Sequence, residues 1–356
     1  MTDPGPDLPP AALFACCGDE PGSLPLSRRS FLLGSLATGA AGCAGAVVRT
    51  PKEEVARFPL IDMHSHLLPV SQRPDVGFTP ADLLKAMDQA GIKRMIVVGF
   101  GSEVPELPRR YPGRFVAAYI QYNFRTRQDP SMLGRLPDRF RITSGGTARE
   151  EVDRIGGEFE EALQSGLYRA LAEITTIARP IHPSVLGTRT AAPGAEVSPD
   201  SPLVRRLVEL AGRYEVPINI HCEDYAAGLM VSAVRAYPRT RIIWAHTGSY
   251  QSPGAIRELL GEHPNLSFDL SSKNPLYGRA AAIHPMLGLG GIDETWRQLF
   301  EAYPDRFFLG VDFLTAGMLA RAREVGDYYR TILTQLTPST ARKVGYENAV
   351  KAYDLG

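Results

Sequence analysis

The sequence predicts a (β/α)8 barrel, the TIM-barrel architecture of the α/β class, beginning at Phe58. Short apolar runs alternate with longer amphipathic runs from that residue to the end of the 356-residue chain. Such alternation over about 300 residues is typical of this fold. The main competitor is a doubly wound open sheet, which places a glycine-rich phosphate-binding turn after its first strand. The first apolar run here ends in histidines instead, so the sequence favours the barrel.

Eight apolar runs are the predicted strands of the barrel. Each is short, and most are followed by a run with helical periodicity. They are 58–64 (FPLIDMH), 94–100 (RMIVVGF), 114–120 (RFVAAYI), 168–174 (YRALAEI), 216–221 (VPINIH), 241–246 (RIIWAH), 265–271 (NLSFDLS) and 306–312 (RFFLGVD).

Between most of these runs, apolar residues recur at three- and four-residue spacing, which predicts amphipathic helices. The predicted helices include 81–91, 150–166, 201–214 and 295–305, and a further helix at 338–353 ends the chain. The long connections follow the third, fourth and seventh strands, at 121–147, 176–200 and 271–292. In a barrel these loops open on the carboxyl-terminal face of the strands, where barrel enzymes hold their active sites.

The composition is that of a folded protein with a small-molecule partner. Hydrophobic residues make up 44% of the chain, which is enough for a large core. Basic and acidic residues number 39 each, and no run of like charge stands out. The chain therefore lacks the basic footprint of a nucleic-acid-binding protein.

A twin-arginine motif lies near the amino terminus, at 27–33 (SRRSFLL), and an apolar run rich in alanine and glycine follows it. This order resembles the signal of the twin-arginine export route, which moves folded proteins. We therefore predict an export signal at 1–46, a linker at 47–57 and the barrel domain at 58–356. The predicted partner is the twin-arginine export machinery, and the predicted location is the periplasm or the extracellular space.

Two processing outcomes are open for this signal. The stretch 44–46 (AGA) fits an A-x-A cleavage site. Alternatively, 40–43 (AAGC) is similar to a lipobox, which would leave Cys43 as a lipid-anchored first residue. Cys16 and Cys17 lie in the same leader, so Cys222 is the only cysteine of the predicted barrel and no internal disulfide is expected there.

Two histidines one residue apart, His64 and His66, lie at the end of the first predicted strand. Alternate side chains of a strand leave on the same face, so this pair can point at one metal ion. Imidazole is also the commonest metal ligand near neutral pH. Three other predicted strands end in residues of this kind, namely His221, His246 and Asp312. Because the carboxyl-terminal ends of barrel strands converge on one mouth, these residues predict a shared metal centre there.

These motifs resemble the amidohydrolase superfamily, and more narrowly its amidohydrolase-related branch of metal-dependent TIM-barrel hydrolases and decarboxylases. The resemblance covers about residues 58–354. The segments that carry it are, in chain order, IDMHSHLLP, TPADLLKAMDQAGIKRMIVVG, VPINIHCE, IIWAHTG, DRFFLGVDF and GYENAVKAY.

The resemblance implies a mononuclear metal site, most often zinc, whose ligands are His64, His66, His221 and Asp312. It also implies that Asp312 is the general base, which takes a proton from a metal-activated water and delivers it to the leaving group. His246 matches a histidine that either contributes to metal binding or contacts the reacting group. Its predicted catalytic role is to orient the water or to polarise the scissile carbonyl.

Glu173 lies in the fourth predicted strand, and the sequence leaves its role open. Binuclear members of the superfamily carry a carboxylated lysine or a glutamate at the end of this strand, and no lysine of this chain falls there. Glu173 is therefore either a further ligand that bridges two metal ions or a hydrogen-bond acceptor that orients a histidine ligand.

Arg125, Arg127 and Lys273 are the candidate substrate-binding residues. They lie in the long loops after the third and seventh strands, and cationic groups near a metal suit a substrate that bears a carboxylate. The alternative is a solubilising role at the surface. His263 follows a predicted helix and is expected to be a surface turn residue.

The leading functional hypothesis is an exported, metal-dependent hydrolase that acts on an amide, a lactone or a related C–N or C–O bond of a small molecule. A metal-dependent decarboxylase of the same branch is the second hypothesis, because the same ligands could hold the substrate of either reaction. A non-catalytic exported binding protein is the third. Similar barrels are commonly homodimers, but nothing in the sequence identifies an interface.

Overall fold

Eight parallel strands follow one another in chain order around a single sheet, which confirms the predicted barrel. They are β1 (Leu60–Leu67), β2 (Ile92–Gly99), β3 (Phe115–Tyr119), β4 (Leu171–Thr175), β5 (Ile218–His221), β6 (Ile242–Trp244), β7 (Leu266–Asp269) and β8 (Phe307–Phe308). The computed structural model describes residues 48–68, 70, 76–99, 103–120, 142–180 and 195–356.

The first strand and the segment after the last strand meet, so that the ring of strands is nearly closed. Met63 N donates to Leu309 O over 2.9 Å. Val311 N donates over 2.9 Å to Oδ1 of Asp62, a buried carboxylate of β1. Because of these bonds, the predicted ligands His64 and His66 of β1 lie next to Asp312, the predicted ligand that follows β8.

Helices follow most of the strands, as predicted. The α-helices are α1 (Lys52–Ala56), α2 (Pro80–Ala90), α3 (Glu103–Arg110), α4 (Arg149–Gln164), α5 (Pro202–Arg213), α6 (Ala227–Ala236), α7 (Pro253–Glu262), α8 (Arg279–Ala282), α9 (Glu294–Ala302), α10 (Ala316–Leu319), α11 (Ala322–Leu333), α12 (Pro338–Arg342) and α13 (Asn348–Tyr353). A π-helical turn at Lys343–Glu347 joins α12 to α13, so the predicted terminal helix 338–353 is helical throughout. Among the described residues, no helix is both long and apolar enough to cross a membrane.

The sequence around α2 explains where this helix begins and ends. The side chain of Thr79 accepts from Asp82 N, and the Asp82 carboxylate accepts from Thr79 N, which together form a capping box. Gly91 ends the helix with a φ of 68°, a conformation that glycine adopts at little cost. Between these ends, Leu83 and Met87 are four residues apart and buried on one helix face.

The side chains of β7 alternate between the helix layer and the barrel interior. Phe268 stacks outside the barrel on Trp244 and Phe307, with ring centroids 5.8 Å and 6.3 Å apart. The next residue, Asp269, is buried inside the barrel. Ser267 lies two residues before Asp269 and therefore shares its interior face.

Several predicted strands extend beyond the observed ones, and in two cases a predicted site residue lies in the turn that follows the strand. The sixth was predicted to reach His246, but β6 ends at Trp244 and His246 has a φ of 57°. The eighth was predicted to reach Asp312, but β8 ends at Phe308 and Asp312 has a φ of 64°. The prediction that the eighth strand ends at Asp312 is wrong, because the chain leaves the sheet after β8 to bond with β1.

The segment 47–57 was predicted as a linker, but its described part packs on the barrel. Val55 of α1 is buried, and Thr50 Oγ1 donates to Leu336 O over 2.8 Å. The predicted export signal at 1–46 lies outside the described residues.

Two of the long connections contain short antiparallel strand pairs. In the connection after β4, Ile177–Ala178 pairs with Ala195–Glu196. In the connection after β7, Leu287–Gly288 pairs with Gly291–Ile292. Both pairs therefore lie on the carboxyl-terminal face of the barrel.

Candidate metal centre

Four imidazoles and three carboxylates meet at the carboxyl-terminal ends of the barrel strands. Six of these side chains are those predicted as metal ligands or catalytic groups, and Asp269 is an addition. The groups belong to His64 and His66 of β1, Glu173 of β4, His221 of β5, His246 after β6, Asp269 of β7 and Asp312 after β8. The most accessible of the four histidines is His66, whose side chain is 19% exposed.

Glu173 lies at the middle of this cluster, and its two carboxylate oxygens face different pairs of histidines. Oε1 lies 2.7 Å from Nδ1 of His221 and 3.0 Å from Nε2 of His246. Oε2 lies 3.4 Å from Nε2 of His64 and 3.4 Å from Nε2 of His66. A carboxylate in this position can bridge two cations or orient the imidazoles on either side.

Asp312 approaches the β1 histidines from the turn that follows the last strand. Its Oδ1 lies 3.3 Å from Nε2 of His66 and 3.9 Å from Nε2 of His64. Its Oδ2 lies 3.8 Å from Nδ1 of His246 and accepts from Ser272 Oγ over 3.4 Å. The turn after β8 thus brings Asp312 into the cluster although it is not part of a strand.

Three buried atoms in the cluster have no hydrogen-bond partner in the described part of the chain: Nε2 of His64, Nε2 of His66 and Oδ1 of Asp312. Buried polar atoms are ordinarily paired, so these atoms mark a position that a further group should fill. Three sets of three residues have ligand atoms within 4.8 Å of one another. One consists of His64, His246 and Asp269, and Glu173 belongs to the other two. Of those two, one adds His64 and His66, and the other adds His221 and His246.

The donor set fits a divalent transition metal. Imidazole nitrogens and carboxylate oxygens suit Zn²⁺, and also Mn²⁺ or Fe²⁺. The unpaired nitrogens and oxygen therefore have the chemical identity that a metal site requires.

Burial and charge act in opposite directions on the groups of the cluster. Burial lowers the pKa of His64, but the carboxylates of Asp269 and Glu173 outweigh it and raise this pKa well above its usual range. Burial raises the pKa of Glu173, yet the imidazoles beside it hold this pKa well below its usual range. Burial likewise raises the pKa of Asp312, and His64 and His66 lower it overall. Protons on the imidazoles and a divalent cation are alternative ways to balance these carboxylates, so metal binding would release protons.

Asp269 is the site residue that the sequence analysis did not identify. Its Oδ2 lies 3.1 Å from Nδ1 of His64 and accepts from Nδ2 of Asn219 over 2.9 Å. Its Oδ1 accepts from His246 N over 3.1 Å. One carboxylate thus holds parts of β1, β5 and the turn after β6. The sequence did contain a pattern that could have identified it, because Asp269 follows apolar residues at the end of a strand, as His221 does.

Both ring nitrogens of His246 have close neighbours. Nδ1 lies 2.8 Å from Ser271 Oγ and 3.0 Å from Ser272 Oγ. Nε2 lies 3.0 Å from Oε1 of Glu173 and 3.0 Å from Nδ1 of His221. The ring is therefore fixed, and His246 stands among the candidate ligands as well as in its predicted catalytic position.

A further charged group supports His221 from the side away from the cluster. Oε1 of Glu223 lies 3.4 Å from Nε2 of His221 and accepts from Arg179 N over 3.1 Å. The guanidinium of Arg179 also forms an ion pair with Glu223 and lies between the rings of Tyr225 and Tyr250, 4.8 Å from each centroid. This group directs Nδ1 of His221 toward Glu173.

Of the three predicted substrate-binding residues, the structure describes Lys273 alone. Arg125 and Arg127 lie outside the described residues. Lys273 is buried, and its Nζ donates to Ile283 O of the same loop over 2.9 Å. This contact stabilises the loop, and contact of Lys273 with a substrate stays a prediction.

His263 is buried, so the prediction of a surface turn residue is wrong. Only 5% of the residue is exposed, and it lies at the carboxyl-terminal end of α7. Arg306 Nη1 donates to His263 O over 3.3 Å, which holds this helix end against the segment before β8. Burial lowers the pKa of the imidazole.

Comparison with known protein families identifies the family of this chain. The model of a family described as amidohydrolase matches residues 61–355. This match covers most of the chain, and the chain therefore belongs to the amidohydrolase family. No curated relative matches the chain.

Solved structures share the barrel over its whole length. An uncharacterized TIM-barrel protein from Bordetella bronchiseptica has a TM-score of 0.51 and 15% identity, and the match covers 83% of this chain and 98% of that chain. A probable 2-pyrone-4,6-dicarboxylic acid hydrolase from Acinetobacter baumannii has a TM-score of 0.50 and 9% identity, with 83% and 100% covered. A 2,6-dihydroxybenzoate decarboxylase from Rhizobium has a TM-score of 0.48 and 12% identity, with 84% and 99% covered. The first two similarities support the fold alone.

Proposed function

We propose that this amidohydrolase is an exported, metal-dependent hydrolase that cleaves a C–N or C–O bond of a small molecule, such as an amide or a lactone. One observation carries the proposal. Nε2 of His64, Nε2 of His66 and Oδ1 of Asp312 are buried and form no hydrogen bond with the described residues, and they face one another at the mouth of the barrel. Family membership supplies the broad class of reaction, which includes hydrolysis.

His64, His66, His221 and Asp312 would hold the metal, for which we propose Zn²⁺. When bound, a divalent ion lowers the pKa of a water molecule and polarises the oxygen of a scissile carbonyl. Because the oxygens of Glu173 face separate histidine pairs, the geometry supports Glu173 as a bridging ligand and two ions per chain.

Asp312 is the proposed general base. Its Oδ1 forms no hydrogen bond with the described residues and faces the centre, and its carboxylate lies among imidazoles that favour its ionised form. An ionised carboxylate can accept a proton from the attacking water and then deliver it to the leaving nitrogen or oxygen.

His246 is the proposed partner of the scissile carbonyl. The hydroxyls of Ser271 and Ser272 hold its Nδ1 edge, so its Nε2 edge faces the centre. A ring held in this way is fixed before the substrate arrives, which reduces the reorganisation that the reaction requires.

Activity measurements on the metal-loaded protein test the reaction. The substrates are amides, lactones and aromatic carboxylic acids, and they include 2-pyrone-4,6-dicarboxylic acid, which is both a lactone and a dicarboxylate. Hydrolysis of an amide or lactone that Asp312→Asn abolishes supports the proposal. Release of CO₂ from an aromatic acid would replace hydrolysis by decarboxylation. Tight binding of a substrate without turnover would favour the third hypothesis, a non-catalytic binding protein.

Export is proposed from the sequence of residues 1–46 alone. The double substitution Arg28→Lys and Arg29→Lys should retain the protein in the cytoplasm, because the export route reads the arginine pair. Fractionation of cells that express the full chain tests this, and delivery of the double variant to the periplasm would contradict it.

A further inference from the structure

A cavity of about 980 Å³ lies at the end of the barrel opposite the metal centre. It is bounded by residues within 209–217, 236–241, 264–267 and 305–308, and by α13. These segments include the amino-terminal approaches to β5, β6, β7 and β8, whereas the metal centre lies at the carboxyl-terminal ends of the strands. The cavity is thus separate from the proposed active site.

The charges that line this cavity do not balance. Its cationic residues outnumber its acidic residues, which are Glu209, Glu215 and Asp305. Glu209 is paired with Arg213 over 3.0 Å, and Asp305 is paired over 2.9 Å with Lys343, which does not line the cavity. The cationic residues are Arg213, Arg239, Arg241, Arg306 and Lys351.

Most of the positive charge has no anionic partner. Among the described residues, Arg239, Arg241 and Lys351 form no ion pair or side-chain hydrogen bond. Arg306 donates from Nη1 to backbone carbonyls, which leave its charge uncompensated. Glu215 is the one acidic residue of the lining that lacks an ion pair within the described chain. The cavity therefore has an excess of positive charge.

Two of these cations are close enough to repel each other. Burial lowers the pKa of Arg306, Asp305 opposes this effect, and the charge of Arg241 lowers the pKa further. Like charges that are partly removed from water destabilise each other unless an anion lies near them. An anion in the cavity would relieve this repulsion.

A hydroxyl in the lining also lacks a hydrogen-bond partner among the described residues. Ser267 lines the cavity, is 5% exposed and has no side-chain hydrogen bond within the described residues. It lies on the interior face of β7. A hydroxyl group of this kind can donate to an oxyanion.

We propose that this cavity binds a small anionic molecule through an oxyanion group, either a phosphate or a carboxylate. Arg241 is the main contact and Ser267 is a hydroxyl donor. A guanidinium binds either group through charge-assisted, often paired, hydrogen bonds. Arg239 and Lys351 line the same cavity and would contact further parts of the molecule, since a cavity of about 980 Å³ exceeds the size of a single oxyanion.

Isothermal titration and thermal unfolding of the full-length, metal-loaded protein test the proposal. The probes are sodium phosphate and sodium succinate, each compared with sodium chloride at equal ionic strength. We expect at least one of the two probes to raise the unfolding temperature above the chloride value and to bind at one site per chain. Binding of phosphate alone or of succinate alone would identify the group. Equal unfolding temperatures in all three salts would overturn the proposal.

Substitutions locate the binding. Arg241→Met should reduce the affinity for the probe by about tenfold or more, since a hydrogen bond to a charged group is lost. Lys351→Met, on the exposed side of α13, should reduce the affinity for the probe by a smaller factor. This variant also tests the proposal if Arg241→Met does not fold. Arg149→Met is the control, because Arg149 is 94% exposed and pairs with Asp153 within α4. Unchanged probe binding in folded Arg241→Met would place the anion elsewhere and overturn the proposal. Metal content should be the same in all these variants.

Discussion

Asp269 Oδ2 lies 3.1 Å from Nδ1 of His64, and Nε2 of the same ring points into the metal centre and forms no hydrogen bond with the described residues. A carboxylate from β7 thus sets the orientation of a predicted ligand from β1. Both residues are buried, and Ser271 Oγ also lies 3.3 Å from Nδ1 of His64, so Asp269 and Ser271 together hold this edge of the ring. Carboxylates behind histidine ligands fix the ring and raise its basicity.

Asp269→Asn should lower metal affinity by about 10- to 100-fold, because the ring of His64 loses its anionic acceptor. Competition with a chromophoric chelator measures the affinity. Asp153→Asn is the matched control, since this aspartate is 70% exposed on α4. Equal affinities in Asp269→Asn and the control would show that His64 is positioned by other means.

Glu173→Gln should reduce the metal content from two ions per chain to one or none. The reason is that Oε1 and Oε2 of Glu173 face different histidine pairs, and an amide is a poor bridge between cations. Elemental analysis of both proteins after equal metal loading measures the change. One ion per chain in both proteins would assign Glu173 the role of orienting His221 and His246.

Asp312→Asn should abolish turnover while retaining more metal than His64→Ala does. A lost general base costs about 10²- to 10⁴-fold in rate, whereas the asparagine oxygen can still act as a weak ligand. The experiment compares kcat and metal content in the same preparations. Full activity of Asp312→Asn would exclude this residue as the base.

Lys273→Met should stabilise the protein near neutral pH. Burial lowers the pKa of Lys273 from 10.5 to about 8, so folding disfavours its charged form. Below about pH 8 this cost is fully present, and it disappears as the pH rises from about 8 to 10.5, because the unfolded chain then binds more protons. The pKa shift corresponds to a destabilisation of the folded state on the order of 2–3 kcal/mol. The net gain in the variant is smaller, because the variant also loses the hydrogen bond to Ile283 O.

Urea unfolding of wild type and Lys273→Met at pH 7 and pH 10 measures this effect. The stability advantage of the variant should shrink at the higher pH. An advantage that is the same at both values would show that Lys273 titrates normally. An increased KM in the variant would support the separate prediction that Lys273 contacts the substrate.

The barrel and most of its centre could be predicted because both depend on local patterns. Apolar runs identify strands, and a polar residue where a run ends lies at the mouth. The conformation of Asp312 could not be predicted in this way, because its turn is set by bonds to β1, which is distant in sequence. The contacts of Asp269 with His64 and His246, and the two-sided position of Glu173, depend on the order of strands around the barrel. The cationic cavity depends on residues from five separate segments.

Metal content per chain, measured by inductively coupled plasma mass spectrometry on the wild type and His64→Ala, tests the central claim most directly. We expect two equivalents of zinc or another divalent metal in the wild type and a loss of metal in the folded variant, because His64 faces Glu173 and Asp312 at the centre. A folded, metal-supplemented wild type that contains no metal would contradict the account.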